Sequence, residues 1–340
     1  MVMKAWIIEA HGNTDGLALV DWPQPELGPH DVLVAMKAVS LNYRDLGTLR
    51  NARPGNLAPP LIPCSDGAGE VVAVGTQVTR FQIGDRVVGG FFRDWIEGRF
   101  SLDYHKASGG GSIHGVLREM IATPEWALVP VPETFSYAEA ATWPVAGVTA
   151  WASLFTRGHL QAGATVLTLG TGGVSTFALQ LASAAGARVI TTSSSDEKLA
   201  RAREMGAWET VNYKTTPEWD QEVLRHTQGQ GVDHVIEVGG SGTLEKSTNC
   251  VAAGGQIGLI GVLTGFGPPS GSLFPLMVRN VRLDGIYAGS RSDLAALIAF
   301  SEAHQLHPVI DSTFGFADSK AAFEYLASGQ HFGKVVIDVA

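Results

Sequence analysis

The sequence predicts an α/β protein in which a doubly wound parallel sheet is joined to a second, β-rich domain. Three observations carry this prediction: a length of 340 residues, a β-rich first part, and an alternation of strands and helices from residue 165 onward. A chain of this length is suited to roughly two domains. Hydrophobic residues make up 45% of the chain and charged residues 17%, a balance typical of a compact, well-buried protein.

Short strands separated by turns dominate the N-terminal part. We predict strands at 4–8, 31–39, 69–74 and 85–88, with Pro and Gly clusters between them. Closely spaced short strands are typical of a barrel or a sandwich. The β-rich domain is therefore placed at 1–125. Helices at 293–304 and 317–328 and a strand at 334–337 return to it, so that it is completed by about 292–340.

Strands and helices alternate through the middle of the chain, after two helices at 137–142 and 148–156. Alternation of this kind predicts a parallel sheet that is covered by helices on both faces. The resulting domain is placed at 126–291. Its predicted strands are 165–169, 188–192, 210–213, 234–238, 256–260 and 282–287, and its predicted helices are one from Val174, 196–205 and 218–227.

A glycine-rich turn joins the first strand and the first helix of this alternation. Its residues are Gly170, Thr171, Gly172, Gly173 and Val174. The glycines permit a tight turn and a close approach of backbone amides to a pyrophosphate, at the positive end of the helix dipole. Ser175 replaces the third glycine of the dinucleotide fingerprint and is small enough for helix–strand packing. The turn predicts a Rossmann dinucleotide site, and an ordinary glycine-rich turn is the alternative.

The end of the second strand bears on which dinucleotide binds. An NAD site usually places an acidic residue there to hold the ribose 2′-hydroxyl, and this chain has the neutral Ser193. Ser194, Lys198 and Tyr213 add donors for a 2′-phosphate, although Lys198 fits a solvated helix lysine equally well. Asp196 follows as a candidate N-cap of the next helix, and Ser193 to Ser195 are the alternatives for that role. The sequence therefore favours NADP(H) over NAD(H).

Several segments resemble the medium-chain dehydrogenase/reductase superfamily, in the family's order and over almost the entire chain. The resemblance implies a GroES-like catalytic domain split around a Rossmann domain, with the cofactor in the cleft between them. It also implies that Thr149 and the segment Phe332, Gly333 and Lys334 approach the cofactor. The segments that carry it are 41–46, 67–75, 84–87, 143–150, the glycine turn, 232–240 and 332–336.

Zinc decides the branch of the family that the chain resembles. Zinc alcohol dehydrogenases have a Cys where this chain has Asn42, and a His-Glu pair where it has Ser65-Asp66. Residues 91–115 hold no cysteine for a structural zinc. We therefore expect no zinc, because three protein ligands are required. The chain looks like the zinc-independent quinone oxidoreductase and enoyl reductase branch.

Hydride transfer to a quinone or an activated alkene is the function that this branch implies. Negative charge then develops on the substrate oxygen and must be stabilised. Asn42 is the first candidate donor and Tyr43 is a second donor or proton source, while a loop that only shapes the cleft is the alternative. Gly239, Gly261, Val262 and Ser290 lie at or after the carboxyl ends of predicted strands, where open sheets bind ligands. The alternatives for function are a zinc-free alcohol or carbonyl dehydrogenase and a cofactor-binding structural or regulatory protein.

Charge, cysteine content and an apolar strand indicate the partners, compartment and oligomeric state to expect. The net charge of −9, without a long basic run, predicts a small-molecule substrate and neither a nucleic-acid nor a membrane partner. Two cysteines without a signal-peptide pattern indicate a cytoplasmic protein with free thiols. The apolar strand at 279–287 is expected at a sheet edge, where pairing with its copy predicts a homodimer.

Overall fold

The computed structural model describes residues 1–265, 267–268 and 271–339. In chain order the strands are β1 (Val2–Ile8), β2 (Leu17–Pro23), β3 (Asp31–Ser40), β4 (Asp66–Val74), β5 (Arg86–Gly89), β6 (Met120–Pro124), β7 (Leu128–Pro130), β8 (Thr165–Leu169), β9 (Arg188–Ser193), β10 (Glu209–Asn212), β11 (Val232–Glu237), β12 (Val251–Leu259), β13 (Arg282–Gly285), β14 (Ile310–Gly315) and β15 (Lys334–Asp338).

The α-helices lie between these strands. They are α1 (Tyr43–Arg50), α2 (Tyr137–Ala140), α3 (Val148–Trp151), α4 (Gly173–Ala184), α5 (Asp196–Glu204), α6 (Trp219–His226), α7 (Leu244–Cys250), α8 (Phe274–Val278), α9 (Arg291–Ala303) and α10 (Ser319–Ser328). Segments of π-helix at Trp143–Gly147 and Ala152–Thr156 flank α3. Short 3₁₀ segments lie at Thr14–Gly16, Leu102–Ala107, Glu125–Ala127 and Phe316–Asp318.

The chain divides into two compact units. The first unit is Met1–Val148 with Ala288–Ala340, and the second is Thr149–Tyr287. These boundaries differ from 125/126 and 291/292, where the sequence placed them. Residues 126–148 join the first unit because β7 pairs with β5, and Arg291 joins it because its backbone N–H donates to the carbonyl of Trp95.

The first unit is built on a mostly antiparallel sheet. Its strand order is β14-β15-β3-β4-β5-β7, with β6 beside β3, and β1 and β2 form a separate antiparallel pair. Parallel pairing occurs between β14 and β15. β15 brings the C-terminal part of the chain against β3, so residues near 334 lie beside those near 40.

The second unit contains a six-stranded sheet in the order β10-β9-β8-β11-β12-β13. Every neighbouring pair in it is parallel. The order reverses between β8 and β11, which is the topological switch point of a Rossmann fold. Leu167, Ile190, Val235 and Ile257 are fully buried, as expected for strands covered on both faces. The predicted doubly wound fold is confirmed.

Some elements differ from the sequence-based expectation. The helix expected at 148–156 is a single α-helical turn, α3, followed by a π-helix. The strand expected at 282–287 ends at Gly285. Seven elements were not predicted: β2, β6, β7, β14, α1, α7 and α8. Within the described residues, no helix combines the length and apolar character required to cross a bilayer.

Candidate active site

The glycine turn of the second unit has the backbone that a phosphate site requires. Gly170 lies in the left-handed region at φ +74°, which turns the chain between β8 and α4. A Cβ built on Gly172 would meet no atom within 4 Å, so the space in front of this residue is open. Ser175 donates to the carbonyl of Leu169 at 2.7 Å, which explains how serine replaces the third glycine. The turn therefore fits a pyrophosphate at the N-terminus of α4.

A substitution at Gly172 separates cofactor binding from stability. Gly172 has φ −79° and ψ −177°, a backbone that alanine adopts without strain. We expect Gly172→Ala to raise the Kd for NADPH at least ~10-fold, because a methyl group enters the space that a phosphate would fill. The thermal midpoint should not change. Gly89→Ala, whose Cβ would make only ordinary contacts of 3.7 Å or more, is the control, and normal NADPH affinity in Gly172→Ala would contradict the assignment.

β9 ends in an uncharged residue, and hydrogen bonds link the segment after it to neighbouring parts of the chain. Ser193 is buried, and its carbonyl accepts the backbone N–H of Tyr213 at 3.0 Å. Ser195 is the N-cap of α5, accepting the N–H of Lys198 at 3.3 Å. Asp196 is the first residue of the helix and accepts a bond from Asn212 at 2.7 Å. The backbones of Ser194, Lys198 and Tyr213 thus lie near the end of β9, and contact of their side chains with a 2′-phosphate stays a prediction.

A buried carboxylate that the sequence analysis did not single out organises the next loop. Glu237 ends β11 and is fully buried. Its Oε1 accepts the backbone N–H groups of Gly239 at 2.8 Å and Gly240 at 3.0 Å, and the hydroxyl of Thr243 at 2.6 Å. Its Oε2 accepts the hydroxyl of Ser247. Four donors therefore fix the loop after β11, which includes the predicted cofactor residue Gly239.

The first unit holds a second polar cluster, around Asn42. Asn42 precedes α1 and is 7% exposed. The ammonium of Lys334, at the start of β15, donates to Asn42 Oδ1 and to the carbonyl of Leu41, each at 2.6 Å. Within the described residues, no acceptor meets the geometry of a hydrogen bond to Asn42 Nδ2, although this amide is near enough to Asp66 to lower the pKa of its carboxyl. The acceptor end of the amide is thus held by Lys334, and its donor end lies close to Asp66 without a hydrogen bond of ordinary geometry.

Two buried carboxylates accompany this amide. Asp66 accepts the hydroxyl of Ser65 at 2.6 Å and the backbone N–H of Val145 at 2.9 Å. Burial raises the pKa of Asp66 to about 6, and the Lys334 ammonium opposes this rise. Asp45 accepts the backbone N–H of Asn42 at 2.8 Å. Burial also raises the pKa of Asp45, while its neighbour Arg44 lowers it.

Arg44 connects this cluster to the loop that follows residue 91. Its guanidinium lies 3.0 Å from Asp45 Oδ1 and donates to the carbonyls of Gly109 and Gly110 at 3.2 and 3.3 Å. Gly110 has φ +60°, and a Cβ there would lie 2.6 Å from the carbonyl oxygen of Cys64. Arg44 therefore forms a structural ion pair and holds residues 109–110 against the cluster.

The remaining predicted site residues are distributed over both units. In the second unit, Thr149 is buried in α3, Gly261 donates its N–H to the carbonyl of Glu237, and Val262 is 36% exposed. In the first unit, Tyr43 is 49% exposed at the start of α1. Their roles stay predictions.

Three predicted cofactor residues of the first unit have internal roles. Ser290 is the N-cap of α9 and donates its hydroxyl to Asp293 at 2.7 Å. Phe332 is buried, and its backbone N–H donates to Asp311 Oδ1 at 2.9 Å. Gly333 has φ +86°, and a Cβ there would meet the carbonyl of Val309 at 2.4 Å. These contacts explain the residue types, and contact with a cofactor stays a prediction for each.

Comparisons with known proteins agree with this architecture. Residues 28–133 match the family described as alcohol dehydrogenase GroES-like domain, and residues 173–303 match the family described as zinc-binding dehydrogenase. A zinc-type alcohol dehydrogenase-like protein of Schizosaccharomyces pombe is 45% identical over 345 residues, covering 100% of both chains. A quinone oxidoreductase of Pseudomonas aeruginosa is 32% identical, covering 96% of this chain and 97% of its own.

A solved structure shows the same fold. The structure of a putative alcohol dehydrogenase from Sinorhizobium meliloti 1021 has a TM-score of 0.93 and 42% identity, covering 99% of each chain. The Rossmann sheet with its glycine turn and the GroES-like unit define an NAD(P)H-dependent oxidoreductase. The chain belongs to the medium-chain dehydrogenase/reductase family, as the sequence resemblance indicated.

The family description raises the question of whether this chain binds zinc. The residues around Asn42 do not fit a catalytic zinc site. A catalytic zinc needs three protein ligands, and no group of three or more His, Cys, Asp or Glu side chains suited to a metal ion occurs in the part of the chain that is described. Asn42 Oδ1 already binds the Lys334 ammonium, and Asp66 Oδ1 already binds Ser65. Burial and the nearby carboxylates raise the pKa of the Cys64 thiol well above its usual value.

Proposed function

We propose that this protein reduces an activated alkene or a quinone by hydride transfer from NADPH, without zinc. The observation that carries the proposal is Asn42 Nδ2, a buried amide donor close to Asp66 that makes no hydrogen bond of ordinary geometry within the described residues. Such a donor is costly to bury unless something else accepts its hydrogen bond. The oxygen of a bound enone or quinone is an acceptor of the required kind.

When bound, the cofactor supplies a hydride, which adds to the β-carbon of the alkene or to the quinone. The alkene electron pair moves to the carbonyl oxygen, which becomes an enolate oxygen and later takes a proton. Asn42 donates a hydrogen bond to this oxygen and stabilises the charge as it develops. Tyr43, half exposed at the start of α1, is the proposed proton source, in exchange with solvent.

A substrate panel tests this function. Purified protein is assayed with enones and quinones, with NADPH and NADH in parallel, and with and without a chelator. We expect substrate-dependent NADPH oxidation that is unaffected by the chelator, and substoichiometric zinc by elemental analysis. Stoichiometric zinc with loss of activity in chelator would refute the zinc-free assignment, and no turnover across the panel would refute the reductase assignment.

A zinc-free alcohol dehydrogenase is the second candidate. Its alcohol chemistry is favoured by the name of the S. pombe relative, a zinc-type alcohol dehydrogenase-like protein that matches the whole chain, while the absence of zinc rests on the residues around Asn42. The same panel discriminates the two functions when it includes simple alcohols with NADP⁺. NADP⁺ reduction by these alcohols in chelator, without enone reduction, would favour this candidate.

We propose NADPH as the preferred cofactor because β9 ends in the uncharged Ser193. Ser193→Asp is expected to lower the ratio of kcat/KM for NADPH over NADH at least ~10-fold, since a carboxylate repels a 2′-phosphate and accepts a bond from a 2′-hydroxyl. Ser193→Ala is the matched control, because it removes the hydroxyl without adding charge. An unchanged ratio in Ser193→Asp would mean that the 2′-phosphate lies elsewhere.

We also propose a cytoplasmic homodimer. β13 is the last strand of the six-stranded sheet, and apolar side chains near it are exposed, including Phe274 at 61%, Met277 at 67% and Val278 at 55%. Exposed apolar patches beside a free strand edge are typical of an interface. Light scattering at micromolar concentration tests the dimer, and a monomeric mass would refute it.

The proposed compartment rests on the cysteines. A reducing cytoplasm suits Cys64 and Cys250, both buried free thiols.

A further inference from the structure

Lys334 is a buried lysine whose ammonium is surrounded by oxygen atoms. Lys334 is 3% exposed. Its Nζ donates hydrogen bonds to Leu41 O and to Asn42 Oδ1, each at 2.6 Å. Burial lowers the pKa of this ammonium, and the carboxylates of Asp66 and Asp45 oppose the lowering. A fully buried ammonium is costly unless it is paired and hydrogen-bonded, and the two carboxylates and two oxygen acceptors provide this pairing.

We propose that the Lys334 ammonium is the resident cation of this site, held among oxygen atoms, and that it positions the Asn42 amide for the reaction. The proposal rests on the proposed function only in making Asn42 the donor to the substrate oxygen. It makes Lys334 a positioning residue that acts through Asn42. The sequence had instead assigned Lys334 to the cofactor.

Orientation of the amide follows from the chemistry of the ammonium. An ammonium donates hydrogen bonds and cannot accept them, so the oxygen of the Asn42 amide must face it. The Nδ2 end is then fixed on the other side. Without Lys334, the two ends of a terminal amide are nearly equivalent in shape, and Asn42 can rotate so that Oδ1 faces the substrate. That orientation would repel the developing negative charge.

The charges of the cluster balance only when Lys334 is present. Asp45 and Asp66 supply two negative charges, and Arg44 and Lys334 supply two positive ones. Cys64, the other titratable group that interacts with them, stays a neutral thiol because its pKa is raised. Loss of the ammonium leaves one uncompensated buried negative charge. The pKa of Asp66 must then rise above about 6, since Lys334 is the strongest influence that lowers it.

A double-mutant cycle separates positioning from cofactor contact and from a merely structural role. We expect Lys334→Met to lower kcat/KM for the enone on the order of 10²-fold, without a change in the Kd for NADPH. Asn42→Ala/Lys334→Met should be no slower than Asn42→Ala, because Lys334 acts through Asn42. Lys320→Met, which removes a partly exposed lysine of α10, is the control and should resemble the wild type.

Three outcomes of this cycle would overturn the proposal. If the two losses multiply, Lys334 acts independently of Asn42. If the Kd for NADPH rises while kcat is unchanged, Lys334 contacts the cofactor. If Lys334→Met/Asp66→Asn, which restores charge balance, also restores full activity, Lys334 is only a structural counter-ion.

Infrared spectroscopy of Asp66 provides a readout that needs no turnover. At pH about 7.5, the Lys334→Met variant should show the C=O stretching band of a protonated carboxylic acid, and Lys334→Met/Asp66→Asn should lack it. Absence of the band in the folded Lys334→Met variant would refute the resident-cation assignment. This result stands even if the substrate panel fails, so the two proposals can fail separately.

Discussion

Replacing Asn42 with alanine is expected to lower kcat/KM for enone reduction about 10²–10³-fold, which corresponds to roughly 3–4 kcal/mol of transition-state stabilisation. The reason is geometric, because Asn42 Nδ2 is a buried donor that lies close to Asp66 but makes no hydrogen bond of ordinary geometry within the described residues. The Kd for NADPH should stay near the wild-type value, since the glycine turn lies in the second unit. Steady-state kinetics with varied enone and varied NADPH measure both quantities.

Two matched variants sharpen this prediction. Asn42→Asp keeps the shape of the side chain and an oxygen for Lys334, but it removes the donor. Its activity should therefore be no higher than that of Asn42→Ala. Tyr43→Phe removes the second candidate donor, which is 49% exposed, and should reduce kcat/KM less than Asn42→Ala does. An Asn42→Ala enzyme with near-normal kcat/KM, together with an inactive Tyr43→Phe enzyme, would reverse the two roles.

The Rossmann unit was largely predictable because its signals are local. An apolar strand, a glycine turn and a periodic helix follow one another within residues 165–184, and each of them depends on neighbours along the chain. The observed strand β8 has the predicted bounds, Thr165–Leu169. Strand order then follows from the connectivity of right-handed crossovers.

The cluster around Asn42 was only partly predictable, because its contacts are distant in sequence. Lys334 and Asn42 are 292 residues apart, and no periodicity links them. α1 was not predicted, because its helix depends on tertiary packing: Leu46 and Leu49 are buried in one cluster with Phe323 of α10. Propensity is a weak guide where tertiary packing decides.

In the second unit, the contacts of Glu237 were likewise not predictable from the sequence. In the sequence it is one acidic residue at the end of an apolar strand, and it suggests a ligand contact as readily as a structural role. Its partners Gly239, Gly240, Thr243 and Ser247 are close in sequence, but they converge on the carboxylate only because the chain turns back into α7. Local turn geometry, which the sequence does not specify here, is the missing information.

Replacing Glu237 with alanine is expected to destabilise the second unit by about 3–5 kcal/mol. The substitution leaves two backbone N–H groups and two hydroxyls without their buried acceptor. Glu237→Gln should cost less, because an amide oxygen still accepts the bonds at Oε1 while Ser247 can reverse its bond to the Nε2 group. Denaturant unfolding followed by intrinsic tryptophan fluorescence, to which Trp219 in the core of this unit contributes, reports the change.

Glu237→Ala also tests whether the loop after β11 contributes to cofactor binding. Because Glu237 fixes the backbone at Gly239, the Kd for NADPH should rise in Glu237→Ala and rise less in Glu237→Gln. Glu222→Ala is the control, since Glu222 lies in an exposed ion pair with Arg225 on α6 and such pairs contribute little to stability. If Glu237→Ala unfolds like Glu222→Ala, the four bonds are not a significant source of stability. If it is destabilised yet binds NADPH normally, the carboxylate supports the fold alone, and Gly239 is not part of the cofactor site.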